Sequence, residues 1–241
     1  MRFLEIDFIK GIAVILMVIF HFFYLGENMG KLNINTRNGI LHLIARLAHT
    51  TFIFMMGVNL AVFKEKTKKD KRNKFYFYKK IIKRCIKFAL IAFGVSYLSY
   101  LEFGMEKFVK WGIFHYMTIG TLIASIFVDK LKLSLILILG ILLLKNRYFF
   151  NLNPIIGMIT GLNMQYGSLD YFPLVPWLAI SLFGMIIGKL LYKNYKRNFK
   201  NNLKKYEKNN LVILINKIGI NSIPIYIIHF LIFYIYFKYL I

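Results

Sequence analysis

The sequence predicts an all-α fold: a polytopic integral membrane helical bundle of about seven spans plus a possible re-entrant segment, in one domain over residues 1–241. Three observations carry that reading. Of 241 residues, 58% are hydrophobic and 17% aromatic, more apolar material than a soluble core of this size requires. Apolar runs of span length recur at 4–24, 40–63, 84–102, 111–129, 131–145, 173–192 and 218–240. Finally, 33 Lys and Arg against 10 Asp and Glu gather between those runs. A net charge of +23 in a soluble protein would suggest nucleic acid. Gathered between spans, it is a topology signal, and no nucleic-acid partner is expected.

The first run, LEIDFIKGIAVILMVIFHFFY, lacks a small-residue cleavage site and keeps charges in its middle, so it reads as a retained helix rather than a signal peptide. The second carries His42, Arg46 and His49 at spacings of four and three, on one helix face. The third follows the basic run KEKTKKDKRNK. A tight turn with Lys130 and Lys132 joins the fourth to the fifth, which is short and must tilt or thin the bilayer. Residues 146–172 hold another apolar run, NLNPIIGMITGLNM, interrupted by Pro154 and glycines, which is an external loop or a re-entrant segment. Cys85 is the lone cysteine, so there is no disulfide framework.

Lysine and arginine orient the bundle. Residues 64–87 hold twelve and residues 189–217 nine, whereas 25–38, 103–110 and 145–172 hold two each. Basic loops stay in the cytoplasm. The expectation is a multi-pass plasma (inner) membrane protein with its N-terminus cytoplasmic and its C-terminus extracytoplasmic.

Ionisable groups inside a span are costly and mark function by default. Asp7 and Lys10 are three apart and share a face of the first helix. Lys10 and His21 are eleven apart, which returns to that face about 16 Å along the axis. His21, His42, Arg46 and His115 fall at one outer depth, Asp170 lies just outside the sixth span, and His229 lies nearer mid-membrane. Each has a plainer reading. Lys10 snorkels, His42 and His229 bond backbone carbonyls, His49 is structural, Arg46 pairs with Asp170 or Glu27, and the basic runs touch anionic lipid.

The run from Asp7 to His21 resembles the opening of transmembrane acyltransferases. In the acyltransferase-3 proteins a first-span Asp-x-x-Arg-Gly precedes a His, and here Lys10 stands at the Arg position. The chain is most similar to bacterial relatives of the heparan-α-glucosaminide N-acetyltransferase catalytic domain. The similarity lies in RFLEIDFIKGIAVILMVIFH, LIARLAHTTFIFMMGVNLA, WGIFHYMTIGTLIA, DYFPLVPWLAISLFGMIIG and IGINSIPIYIIHF. The mammalian enzyme carries Asn at the His21 position, and its catalytic His lies in the following loop. That loop here, GENMGKLNINTRNG, has no His. The resemblance implies transfer of an acetyl group from cytoplasmic acetyl-CoA to an amine or hydroxyl of an extracytoplasmic cell-envelope glycan. His21 is then general base or acyl carrier, with Arg46 or His115 offsetting oxyanion charge. Lys10, with Asp7 and Arg84, serves the coenzyme phosphates, and His42 and Asp170 the acceptor.

Three rival readings stand beside this one. A proton-coupled transporter or permease would use the histidines as a relay, but no internal repeat is evident. A divalent-metal site of His21, His42 and His115 would have Arg46 as a repelling neighbour. A membrane scaffold would leave the intramembrane charges unexplained. The lipid bilayer is the one certain partner, and a homodimer is allowed.

Overall fold

A computed structural model describes residues 3–145, 152–163 and 167–240. Its helices are α1 (Leu4–Asn28), α2 (Gly39–Lys69), α3 (Lys74–Lys107), α4 (Ile113–Phe127), α5 (Leu131–Leu144), α6 (Pro154–Thr160), α7 (Leu174–Leu191), α8 (Asn210–Ile220) and α9 (Ser222–Ile235). A π turn over Tyr236–Leu240 continues α9. Among the described residues, β structure is confined to an isolated parallel bridge between Trp111 and Tyr171. Helices α1, α2, α7 and α9 with its terminal turn are long and apolar enough to cross a membrane. The others are shorter or, like α3, lysine-rich, so among the described residues four helices are candidate full-length spans by length and composition, and the expected count of about seven is not established by them.

Three boundaries differ from the expected ones. Helix α3 begins ten residues before the expected start at 84, because the Asn73 side chain accepts the Tyr76 N–H and caps it. Phe77, Ile81, Cys85, Phe88 and Ala92 then form a buried stripe at helical spacing, and lysines occupy the other faces. Helix α2 runs on to Lys69. The expected last span, 218–240, is broken at Asn221, and α8 takes up residues read as basic loop, capped by Asn209. Residues 146–151 and 164–166, in the suggested re-entrant stretch, lie outside the described residues. Between them α6 is a seven-residue helix whose Met158 carbonyl accepts from the Tyr171 hydroxyl.

The chain divides into two compact units, residues 1–55 with 200–241, and residues 56–199. In the first, α1 packs on α8 and α9 around Val14, Met17 and Ala48, with Phe52, Ile218, Ile225 and Tyr226 beside them. Glycines set the spacing of α1 and α8. A Cβ on Gly219 would lie 1.8 Å from the Asp7 carbonyl oxygen, and one on Gly11 2.1 Å from that of Ile215. Backbone thus touches backbone, as small residues permit in membrane helix pairs. His21 meets His229 and Gly26 meets Phe237, so α9 and its terminal turn climb α1 in the same direction.

In the second unit α3 packs on α4, and α7 on α4 and α5, around Phe77, Ile81, Ala124, Leu182 and Met185. Gly57 and Gly188 repeat the glycine device between the second half of α2 and α7. At one end Asp129, in the α4–α5 turn, receives Lys64 at 3.3 Å, Lys68 at 2.6 Å and Lys189 at 2.7 Å. Burial opposes ionisation of Asp129, but Lys189 and Lys68 prevail and hold its carboxyl well below the usual range.

Substituting Gly219→Val should separate α1 from α8 and cost about 1–3 kcal/mol, the usual scale of overpacking. Thermal unfolding in detergent would register it. Gly94→Ala, where a Cβ meets nothing within 4 Å, should leave stability unchanged or raised.

Candidate functional site

The first unit holds two polar stations on one face of α1. At the first, Lys10 Nζ lies 2.8 Å from Asp7 Oδ1, the ion pair the spacing suggested. Asp7 is buried, its carbonyl covered by Gly219 of α8. Two residues earlier the buried Glu5 accepts from the Asn201 side chain at 2.9 Å, tying the segment before α8 to the start of α1.

The second station is His21, which is 8% exposed and paired with His229, 6% exposed, on α9. His21 Nδ1 and His229 Nε2 are 2.9 Å apart. The ring centroids are 5.1 Å apart and the planes differ by 8°, so the imidazoles meet edge to edge in nearly one plane. His229 Nδ1 lies 2.7 Å from the Ile225 carbonyl oxygen, one turn back on α9. Aromatic rings close around the pair: Tyr226 stands edge-on to both imidazoles at 5.6 Å, and Phe230 edge-on to His21 at 5.9 Å. Phe233 flanks His229 at 5.5 Å. Tyr226, His229, Phe230 and Phe233 recur at three, four and seven residues, which puts them on the α9 face turned to α1.

From α2, His49 approaches the Phe20 ring edge-on at 6.1 Å. His42 is half-buried and Arg46 exposed, so within this unit His21 is joined by His229 rather than by Arg46. Sequence reasoning placed His229 at a carbonyl, which holds, and missed its second nitrogen. The signal was present in IPIYIIHFLIF, where the histidine sits on an aromatic face.

Arg84, His115 and Asp170 belong to the second unit. Arg84 is exposed on α3. His115 and Asp170 both serve the start of α4. The Gly112 N–H donates to His115 Nδ1 at 3.1 Å, and the Ile113 N–H donates to Asp170 Oδ2 at 2.9 Å. With Nδ1 accepting, the neutral His115 ring carries its proton on Nε2, which lies 3.4 Å from Ser96 Oγ. A Cβ on Gly112 would stand 2.5 Å from Asp170 Oδ2, so the carboxylate needs a glycine there. Further bonds, Phe172 N–H to the Trp111 carbonyl and Leu169 N–H to that of Lys107, zip the segment before α7 to the segment before α4. Two motifs from distant parts of the chain, WGIFHYM and DYFPLVPW, therefore form one structure. Among the described residues no three of His, Cys, Asp and Glu are placed to hold a metal ion.

These features define an integral membrane helical protein with a buried imidazole on its first span paired to a second on α9. The chain matches the family described as heparan-alpha-glucosaminide N-acetyltransferase, catalytic, over residues 2–231, and it belongs to that family. It is accordingly a member of a membrane acetyltransferase family. No curated protein and no solved structure matches the chain.

Burial pushes the Asp170 carboxyl up to about 6, against the Ile113 hydrogen bond, which favours the charge. A carboxyl raised on folding contributes stability that is full below its unfolded value of about 3.9 and lost as pH rises through the folded value. Asp170→Asn keeps an oxygen for the Ile113 N–H without the charge. The variant should therefore lose the fall in thermal stability that wild type shows between pH 4 and pH 7, as measured by unfolding in detergent.

Proposed function

We propose that the protein transfers an acetyl group from cytoplasmic acetyl-CoA to an amine or hydroxyl of a cell-envelope glycan on the outer side of the plasma membrane. The observation that carries this reading is His21, buried on the first span with an imidazole partner, on the same face as the Asp7–Lys10 pair. Lys10 sits at the cytoplasmic end, where a charge-assisted contact suits a phosphate oxygen. Asp7 keeps the ammonium oriented. The reacting thioester lies about 16 Å further along the helix, a distance suited to an extended pantetheine arm.

At that point His21 acts as general base. It takes the proton of the acceptor amine or hydroxyl as the acceptor nitrogen or oxygen bonds to the acetyl carbon. The carbon–sulfur bond breaks, and the imidazolium returns its proton to the departing thiolate. In the variant route His21 attacks the thioester itself, the coenzyme leaves as its thiolate, and the acceptor then displaces the imidazole while its proton passes to the thiolate. Both routes end with neutral His21, free coenzyme A and an acetylated acceptor. Paired histidines also suit a proton relay in a permease, but membership of an acetyltransferase family favours group transfer.

The two stations should fail differently. Lys10→Ala should weaken acetyl-CoA binding by roughly 1.5–3 kcal/mol, about a ten- to hundredfold loss of affinity. Asp7→Asn combined with Lys10→Ala separates that loss from a stranded carboxylate. His21→Ala should bind the donor normally and lose turnover. Calorimetry with a non-hydrolysable coenzyme A thioether and a free-thiol assay read the two quantities. Full turnover in His21→Ala would refute the catalytic assignment.

A further inference from the structure

We propose that His229 is the positioning residue of the transfer site, holding neutral His21 with its proton on Nδ1 so that Nε2 is the nitrogen that reacts. The inference rests on the acyl-transfer reading above and assigns the work within it. It follows from hydrogen-bond roles at three successive atoms. The Ile225 carbonyl oxygen, 2.7 Å from His229 Nδ1, has no hydrogen to give, so Nδ1 is the donor and bears the proton. Neutral His229 then has a bare Nε2, which accepts. Its partner at 2.9 Å, His21 Nδ1, is therefore the donor, and the lone pair of His21 lies on Nε2.

The packing keeps this order in place. Reversing His21 alone would leave two lone pairs facing each other between the rings, and reversing His229 would set a bare Nδ1 against the lone pairs of the Ile225 carbonyl oxygen. Both defects are costly among buried groups. Tyr226 and Phe230, edge-on to His21, fix the plane of the ring, so it cannot turn Nδ1 to the substrate. When Nε2 takes the acceptor's proton, both His21 nitrogens carry hydrogen, and the Nδ1–H to His229 bond becomes charge-assisted and stronger. His229 thus favours the protonated state formed during transfer. The proton leaves by the same nitrogen, to the coenzyme thiolate, and the pair returns to its starting form.

The test uses the full-length protein in detergent with ¹⁵N-labelled histidine, assigned by comparison of the His21 and His229 variants. Nitrogen shifts in wild type should show His21 protonated on Nδ1 and bare on Nε2. His229→Gln places an amide oxygen near the former Nε2 and should keep that tautomer, whereas His229→Leu should lose it. In turnover, His229→Leu should fall roughly 10- to 100-fold in kcat, by analogy with the loss when a metal-bound imidazole is deprived of its orienting partner, with KM for acetyl-CoA little changed. His229→Gln should recover most of the loss. Wild-type His21 protonated on Nε2 overturns the proposal, and so does an equal kcat in the Leu and Gln variants. The nitrogen shifts need no activity, so they separate this inference from its premise. The expected tautomer in a protein whose His21→Ala form turns over fully would remove the catalytic assignment of His21, and with it any catalytic part for His229.

Discussion

The hydrogen bond between His21 and His229 is the constraint on which the first unit depends. An imidazole buried among apolar side chains needs a partner for each nitrogen with unmet bonding capacity. Neither ring could be buried at this depth alone without cost. Paired, they join α1 to α9 at one level, and the Ile225 carbonyl oxygen ends the hydrogen-bond chain as its acceptor. The break at Asn221 lets α8 cover the Asp7–Lys10 end while α9 covers the His21 end. The chemistry on one face of α1 and the kink between α8 and α9 are thus parts of one arrangement.

The second unit solves a different problem, the orphan N–H groups at the start of α4. Asp170 and His115 satisfy two of them, one from 57 residues away and one from within the helix. Gly112 is required because the carboxylate occupies the space of a side chain. The same bonds fix the entry to α7 beside the entry to α4. His115, read from the sequence as catalytic, and Asp170, read as acceptor-binding, have a local structural task here, which any further role must accommodate.

Much of this was legible in the sequence because the forces involved are local. The Asp7–Lys10 pair followed from i, i+3 spacing, and the alignment of Lys10 with His21 from helical period. The helical class and the membrane setting followed from composition, and the family from motifs in order along most of the chain. What escaped needed contacts far apart in sequence or caps that hydropathy does not weigh. Asn73 starts α3 inside a run that looks like a loop, and Asn209 does the same for α8. The pairing of His21 with His229, 208 positions apart, has no periodicity to betray it. Arg46 drew attention as a costly intramembrane charge, yet it is exposed on α2 while His21 turns to α9.

The most direct measurement of the central claim is made on the acceptor rather than on the protein. Envelope glycans from cells carrying the wild-type chain, the His21→Ala chain or neither can be compared by mass spectrometry. The account predicts an acetylated glycan species in the first and its absence from the other two, with membrane levels of the variant protein equal to wild type. An identical acetylation pattern in all three would contradict it.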